Sequence, residues 1–429
     1  MAQRTLHTDI LFDPRTKTVE NGISITVDEA TGSIVKIFKR TEPLSAEVPE
    51  PDVDLRGTFV MPGFVDAHTH IFLHSYDENP SLNQKRDESF VERVLRAANH
   101  CRLGLLAGYT TYRDLGSESM KEADCNVRDA INRGLIPGPR LFVATRIIAS
   151  TSTYESRTEN HIGGTCLPNG SDPADGVDEI RKAARRRIGH GADIIKFYAD
   201  YRRRIMRYPP KQQHPYVGSV LHPPVQPNPD VLCYSQEEMN ALVSEANLAD
   251  CPVACHAGTK QGVIMAAKAG SLTIEHAYFA DDEVFQTMKD NQCIFVPTLA
   301  VCERLHAHRI KEIMAQTKRA WDMGVRFACG GDTGTYPHGE NAREMELMVE
   351  CGIPVLDVLA ACTVGGWKSC GGDRCGKLFG WLEEGRCADI IALDADPRET
   401  KEALRMVSFV MKDSKIWKRK GVAIGMVSS

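Results

Sequence analysis

Residues 61–70 read Met-Pro-Gly-Phe-Val-Asp-Ala-His-Thr-His, an apolar run that ends in two histidines. Side chains two positions apart in a β-strand point to the same face, so His68 and His70 can reach one metal ion. Imidazole nitrogen is a suitable ligand for zinc and other borderline divalent metals. The pattern alone is equally compatible with two ordinary histidines near the end of a strand.

Seven further apolar runs follow this one, and amphipathic helical patterns separate most of them. Helix boundaries are indicated by a capping box at Ser235–Glu238, by acidic residues after Asp281, and by Gly270 and Gly324. Strands that alternate with helices predict parallel pairing, and eight such units favour an α/β fold of the closed TIM-type (β/α)8 barrel. The candidate strands are Phe59–His70, Thr110–Leu115, Arg140–Ile148, Asp193–Tyr198, Pro252–His256, Leu272–His276, Cys293–Leu299 and Val325–Cys329.

The two ends of the chain differ from this middle section. Both carry short β-like runs with turn signals, such as Gly-Ile-Ser-Ile-Thr-Val from Gly22 and Ala-Asp-Ile-Ile-Ala-Leu from Ala388. We expect residues 1–60 and 385–429 to form one small β-sandwich domain, packed beside a metal-dependent barrel at residues 61–384.

The composition is that of an ordinary globular protein, with 42% hydrophobic and 25% charged residues among 429. The net charge of −5 does not indicate a nucleic-acid partner, and no window reaches the roughly 18 apolar residues of a membrane span. The N-terminus lacks the apolar segment of a signal peptide. The 14 cysteines include no CxxC pair, which favours free thiols in a reducing compartment over disulfides. We therefore expect a cytoplasmic protein without membrane or nucleic-acid partners.

Four more polar residues stand at the ends of candidate strands: Lys196, His256, His276 and Asp332. Each has an ordinary reading alone, since a histidine can be structural, an aspartate can cap a turn, and a lysine can extend to the surface. A carboxylated Lys196 would instead offer two oxygens able to bridge two metals. Barrel enzymes build their sites from several strand ends at one rim, so the complete set predicts one active site.

Together these motifs resemble the amidohydrolase superfamily, and the resemblance covers nearly the whole chain. The matching pieces are residues 61–70, Ile195-Lys-Phe, His256-Ala-Gly, Ile274-Glu-His, Gly331-Asp-Thr, and the stretch from Glu384 to Asp394 that returns into the terminal β-domain. The segments around Lys196, Tyr234 and His256 are similar to the branch that contains Xaa-Pro dipeptidases, ochratoxinase and imidazolonepropionase-like enzymes.

The resemblance implies a binuclear metal site. His68, His70 and Asp332 would bind the more buried ion, His256 and His276 the second, and N6-carboxylated Lys196 would bridge both. The usual metal of the family is zinc. The implied function is an amidohydrolase that cleaves an amide or peptide bond of a small substrate, such as a dipeptide or N-acyl amino acid, by a metal-bridging hydroxide. The branch also implies a homo-oligomer.

Roles in catalysis and substrate binding are less directly indicated. Asp332 is the candidate general base, because the available histidines are assigned to metal. His161 and Tyr234 are the candidate substrate-binding residues, with a surface histidine and helix-entry packing as the ordinary alternatives. The Arg202–Arg207 cluster opens an insert that runs to about Val231, and it either binds a substrate carboxylate or is a solvated loop.

Two other interpretations remain open. One is a cyclic-amide hydrolase or deaminase on the same barrel, although Lys196 argues against a single-metal deaminase. The other is a catalytically silent scaffold, which should have lost at least one ligand. We also expect Asp66 and Glu275, which adjoin ligand positions, to point away from the site along their strands, with Asp66 available as a partner of a ligand.

Overall fold

The computed structural model describes residues 3–151, 153–154, 170–202 and 230–426. His161 and residues 203–229, which include most of the arginine cluster, lie outside this range. The strands are β1 (Gln3–Asp13), β2 (Thr18–Asp28), β3 (Ser33–Lys39), β4 (Val53–Asp54), β5 (Phe59–Pro62), β6 (Phe64–Thr69), β7 (Tyr109–Asp114), β8 (Arg140–Val143), β9 (Ile147–Ala149), β10 (Ser171–Pro173), β11 (Ile195–Tyr198), β12 (Asp200–Arg202), β13 (Asp230–Leu232), β14 (Val253–Ala257), β15 (Thr273–His276), β16 (Ile294–Val296), β17 (Arg326–Phe327), β18 (Ile390–Leu393), β19 (Val407–Lys412), β20 (Lys415–Arg419) and β21 (Val422–Ala423).

The helices lie mostly between the central strands. They are α1 (Ser81–Asp87), α2 (Phe90–Leu106), α3 (Ala123–Asn132), α4 (Gly176–Gly189), α5 (Gln236–Asn247), α6 (Lys260–Ala269), α7 (Asp282–Asp290), α8 (Leu299–Leu305), α9 (Ile310–Asp322), α10 (Ala342–Glu350), α11 (Val355–Ala360) and α12 (Gly366–Ser369), with a π-helical turn at Ala361–Gly365 and 3-10 turns at Ala307–Arg309, Gly372–Cys375 and Lys401–Arg405. Within the described residues, no helix has both the length and the apolar composition of a membrane span.

Helix boundaries follow the predicted signals. Ser235 and Glu238 form a complete capping box at the start of α5, and the Asp281 side chain accepts the backbone N–H of Val284 at the start of α7. Gly270 ends α6 with a left-handed φ of 93°, a conformation that costs glycine little.

Both ends of the chain contribute to one nine-stranded sheet, the terminal sheet. Its order is β21-β20-β19-β18-β5-β1-β2-β3, with β4 beside β1, so the C-terminal strands meet the N-terminal ones at β18 and β5. Pairing of β18 with β5 is antiparallel, and Ile391 lies opposite Met61. Strands from both ends of the chain therefore belong to one sheet, and its folding into the layers of a sandwich stays a prediction.

The central strands are parallel and alternate with helices, as expected of an α/β protein. They form a three-stranded sheet, β6-β7-β8, and a seven-stranded sheet, β10-β9-β11-β14-β15-β16-β17, rather than one closed barrel. At one seam the backbone N–H groups of Asp193 and Ile194 both donate to the Val143 carbonyl. At the other seam Ala67 N–H donates to the Cys329 carbonyl, and Thr69 and Thr333 form an isolated parallel bridge.

Two predicted strands are each split in two. The first breaks at Gly63, where an added Cβ would lie 2.2 Å from Thr110 Oγ1, so the chain passes from the terminal sheet to the central strands at a tightly packed point. The third breaks near Thr145, whose positive φ of 59° interrupts the extended backbone. The sequence pattern shows neither break because both segments of each run are apolar.

A buried ion-pair cluster joins the terminal sheet to the central strands. Arg140, at the start of β8, donates to Asp389 Oδ2 at 2.8 Å and to Asp413 Oδ1 at 2.6 Å. Arg140 and Asp389 are almost fully buried. A buried charge is tolerated only with such partners, so this cluster fixes how the two parts pack together.

Candidate metal centre

Four of the six predicted ligands lie on strands: His68 on β6, Lys196 on β11, His256 on β14 and His276 on β15. His70 directly follows β6, and Asp332 lies in the loop after β17. One ligand atom from each of His68, His276 and Asp332 lies within 4.8 Å of the others. The rings of His68 and His70 are 5.4 Å apart, and those of His256 and His276 are 4.5 Å apart. The structure therefore brings the predicted residues together at the carboxyl ends of the strands.

Asp332 stands at the centre of the cluster. Its Oδ1 atom is 3.3 Å from His70 Nε2 and 3.7 Å from His68 Nε2, yet it is buried and accepts no hydrogen bond from any described residue. Asp332 has a left-handed φ of 63°. This uncommon conformation turns the carboxylate into the site immediately after Gly330 and Gly331.

Lys196 is the second buried group without a partner. Its side chain is 2% exposed, and within the described part of the chain its Nζ atom makes no hydrogen bond. Burial lowers the lysine pKa to about 8, despite the opposing charges of Glu275 and other neighbours. An unpartnered buried donor and an unpartnered buried acceptor in one histidine cluster fit a site built to hold cations.

Three of the histidines have their Nδ1 atoms held by other groups. His68 Nδ1 is 2.8 Å from Glu275 Oε2, His70 Nδ1 is 3.0 Å from the Gly116 carbonyl, and His276 Nδ1 is 2.9 Å from Thr298 Oγ1. When Nδ1 donates to such an acceptor, the lone pair is left on Nε2. This is the tautomer in which an imidazole binds metal through Nε2.

The contact between Glu275 and His68 corrects the expectation that Glu275 points away from the site. In a regular strand Glu275 and His276 would face opposite sides, but His276 has a φ of 77° and the following Ala277 a φ of 47°. These left-handed residues end the strand geometry, so both side chains reach the site. Asp66 fits its expected supporting role, because it accepts the backbone N–H of His68 at 3.0 Å.

Protonation states differ among the histidines. Burial lowers the pKa of His256 and of His276 well below the ordinary range, so both rings are neutral and able to bind metal. Burial also acts on His70, but the nearby carboxylates of Asp332 and Glu118 outweigh it and raise the His70 pKa to about 9. A metal ion at His70 would therefore displace a proton.

A second polar cluster, absent from the sequence prediction, adjoins His70. Glu118 lies with its Oε1 atom 3.5 Å from His70 Nδ1, and its Oε2 atom contacts Lys85 Nζ at 2.5 Å and Tyr154 Oη at 2.6 Å. Glu118 and Ser119 both have positive φ, 48° and 72°. Such strain is typical of functional loops, but nothing in the local sequence marks a non-glycine left-handed residue.

Aromatic side chains face the second pair of histidines and were also missed. The Tyr198 ring lies 4.2 Å from the His256 ring, and Tyr278 stacks on His276 at 5.1 Å. Tyr201 lies 5.8 Å from His256 and carries the Arg202 guanidinium 5.4 Å above its ring. Tyr198 ends β11 and Tyr278 follows β15, and these positions near strand ends were the available signal.

Tyr234, a predicted substrate-binding residue, lies just before α5 and is 4% exposed. Its hydroxyl donates to the Ala174 carbonyl at 3.1 Å, and its ring packs against Phe197. These contacts are those of helix-entry packing. His161, the other candidate, lies outside the described residues, and both roles stay predictions.

Comparison with known proteins agrees with this geometry. Residues 59–418 match the model described as "Amidohydrolase family". The chain is 30% identical to ochratoxinase from Aspergillus niger over 400 residues, which cover 85% of this chain and 76% of that protein. A solved Xaa-Pro dipeptidase with bound methionine superposes with a TM-score of 0.78 and 28% identity, over 97% of this chain and 100% of that one. The A. niger ochratoxinase structure gives a TM-score of 0.77 at 25% identity, over 98% and 96%.

Proposed function

Because the chain belongs to the amidohydrolase family and is a hydrolase of carbon–nitrogen bonds, we propose that it is a two-metal amidase or dipeptidase. The proposed substrate is a small amide, such as a dipeptide or an N-acyl amino acid. The observation that carries this proposal is the presence of two buried atoms, Lys196 Nζ and Asp332 Oδ1, that have no hydrogen-bond partner among the described residues and lie in a cluster of four histidines.

The proposed ligands divide into two groups. His68, His70 and Asp332 would hold one divalent ion, His256 and His276 would hold the other, and a carboxylated Lys196 would supply oxygen ligands to both. The lowered pKa of Lys196, about 8, supports this modification, because only the neutral amine reacts with carbon dioxide. Imidazole and carboxylate donors support zinc as the metal.

When bound, two divalent ions lower the pKa of a shared water and polarise the scissile carbonyl. Asp332 acts as the general base that takes the water proton and passes it to the leaving nitrogen. The charges of His68 and His70 outweigh the effect of burial and lower the Asp332 pKa to about 2. The carboxylate is therefore ionised at neutral pH, as a general base must be before it takes a proton.

The substrate class rests on the relatives and on the walls of the site. Their names, ochratoxinase and Xaa-Pro dipeptidase, support hydrolysis of an amide. The rings of Tyr198 and Tyr278 beside His256 and His276 support binding of an apolar or planar group next to the scissile bond. A role for Tyr234 would require its hydroxyl to leave Ala174.

The architecture and the assembly are also proposals. We infer that the two parallel sheets are parts of one (β/α)8 barrel at residues 61–384, which the backbone hydrogen bonds at both seams support, and that residues 1–60 and 385–429 form one domain. The free thiols of all described cysteines support a cytoplasmic location, and the homo-oligomer is proposed from the resemblance to the branch alone.

The first experiment is elemental analysis of protein purified without chelator, followed by hydrolysis assays on dipeptides and N-acyl amino acids. About two zinc ions per chain, together with amide hydrolysis that Asp332→Asn abolishes, would support the proposal. Carbon-13 NMR after equilibration with labelled bicarbonate tests the Lys196 carbamate directly, with Lys196→Met as the control. One ion per chain and no carbamate signal would contradict the bridged site and favour the deaminase or cyclic-amide alternative.

A further inference from the structure

We propose that Glu275, held in place by Arg113, is the positioning residue that sets the tautomer and orientation of His68 and strengthens that histidine as a metal ligand. The inference rests on the proposed function, since it concerns the same site. It assigns a role to a residue that the strand pattern directs away from the site.

Glu275 uses its two oxygens for different contacts. Oε2 accepts from His68 Nδ1 at 2.8 Å, whereas Oε1 accepts from Arg113 Nη2 at 2.9 Å and from Thr273 Oγ1 at 2.5 Å. Arg113, His68 and Glu275 are all buried, with Glu275 and Arg113 showing no exposed surface. The carboxylate therefore cannot rotate without losing a charged partner in a desolvated environment.

Arg113 is itself fixed from three directions. Its Nε donates to the Ala67 carbonyl at 2.6 Å, immediately before His68, and its Nη1 donates to Thr273 Oγ1 at 2.9 Å and to the Ser369 carbonyl at 3.2 Å. One guanidinium thus ties the backbone of the strand that carries His68 to the carboxylate that holds the His68 ring.

The chemistry of an ionised carboxylate distinguishes the Nδ1 contact of His68 from the Nδ1 contacts of His70 and His276. A carboxylate only accepts hydrogen bonds, so His68 must carry its proton on Nδ1 and direct the Nε2 lone pair toward Asp332. The partners of His70 and His276 are neutral, a carbonyl and a hydroxyl. Of these three Nδ1 hydrogen bonds, only that of His68 goes to a carboxylate, since Glu118 Oε1 lies 3.5 Å from His70 Nδ1, farther than the Gly116 carbonyl at 3.0 Å. A buried negative charge beside Nδ1–H makes Nε2 a stronger electron-pair donor to a metal.

A contribution to folding stability does not by itself explain the buried ion pair of Arg113 and Glu275. Buried ion pairs often contribute no more than well-packed apolar residues of the same volume. Here the pair lies directly behind a ligand, and its removal is expected to weaken metal binding by more than it weakens folding.

The test is a Zn²⁺ titration of the chelator-stripped full-length chain against a chromophoric competitor. Glu275→Gln keeps the volume but cannot accept from both His68 and Arg113, and Glu275→Asp keeps the charge but is too short to reach both. We expect each variant to lose about 10- to 100-fold in Zn²⁺ affinity. Asp389→Asn is the matched control, because Asp389 is a buried partner of Arg140 with no contact to a ligand; it should lower the melting temperature and leave Zn²⁺ affinity unchanged.

The outcomes separate this inference from the proposed function. Wild-type protein that binds no Zn²⁺ would refute the proposed function and the inference with it. Wild-type binding with unchanged affinity in both Glu275 variants, or an equal loss in Asp389→Asn, would overturn the inference alone. If Glu275→Gln does not fold, nitrogen-15 NMR of wild-type His68 decides: a proton on Nδ1 before and after Zn²⁺ addition supports the inference, and a proton on Nε2 before addition overturns it.

Discussion

Replacing Lys196 by Met should stabilise the metal-free protein and disable the metal site. The Lys196 Nζ atom is buried and has no hydrogen-bond partner among the described residues. Burial lowers its pKa from the ordinary 10.5 to about 8, and each pKa unit corresponds to about 1.4 kcal/mol. The charged lysine therefore costs the fold up to about 3 kcal/mol at neutral pH, and we expect Lys196→Met to recover about 1–3 kcal/mol.

The stability gained by Lys196→Met depends on pH in a direction that the lowered lysine pKa determines. Between pH 8 and 10.5 the unfolded state binds more protons than the folded state, so the stability of the wild-type protein rises with pH through that window. The extra free energy of unfolding of Lys196→Met over the wild-type protein is largest below pH 8 and shrinks as the pH approaches 10.5. Urea denaturation of both chelator-treated proteins at neutral and at high pH measures this change in the free energy of unfolding.

Lys412 offers the matched control. It is also buried with a pKa lowered to about 8 by burial, but its Nζ donates to the Gly138 carbonyl at 3.0 Å. Lys412→Met should therefore gain less than Lys196→Met, or lose stability. The reasoning would be refuted if metal-free Lys196→Met gained no more stability than Lys412→Met. Added zinc should stabilise the wild-type protein more than Lys196→Met.

Three further predictions concern packing, charge and protonation. Gly330→Ala would place a Cβ 2.5 Å from the backbone nitrogen of His68, so it should cost about 1–3 kcal/mol and weaken zinc binding, whereas Gly189→Ala meets nothing within 4 Å and should be neutral or mildly stabilising. Arg140→Met leaves two carboxylates without their cation and should cost about 3–5 kcal/mol in calorimetry. Burial raises the pKa of Glu344 to about 8; the folded state then holds the extra proton, stability falls as pH rises toward 8, and Glu344→Gln should flatten that slope in urea denaturation.

Each has an outcome that would contradict it. Equal effects of Gly330→Ala and Gly189→Ala would mean that the strand ends are not tightly packed at the site. A small loss of stability in Arg140→Met would mean that the packing of the terminal sheet does not depend on this ion pair. An unchanged slope in Glu344→Gln would mean that its carboxyl group is solvated.

The local pattern of the sequence predicted the groups that lie on regular strands. Period-two spacing placed His68 and His70 on one face, and strand-end positions identified Lys196 and His256. These features depend on a few neighbouring residues, so they can be read without the tertiary structure. The alternation of strands and helices was predictable for the same reason.

Features that depend on distant pairing were not predictable. Glu275 and His68 are 207 positions apart in the sequence, and no local pattern connects them. The change of sheet at Gly63, from the terminal sheet to the central strands, and the change at Thr145, between the two central sheets, both fall inside runs that are apolar throughout. Hydrophobic pattern identifies a strand, but not the point where it changes partners.

Left-handed backbone at non-glycine residues explains why the sequence did not predict the direction of side chains around the site. His276, Thr298 and Asp332 have φ values of 77°, 53° and 63°, and they are a proposed ligand, the anchor of that ligand and the proposed base. Each such residue costs on the order of 1–3 kcal/mol, which the surrounding fold must offset. A strand that ended regularly would point alternate residues away from the rim, so Glu275 and His276 could not both reach the site. The strain is what allows adjacent residues to act on the same metal centre, and sequence patterns based on regular structure necessarily miss it.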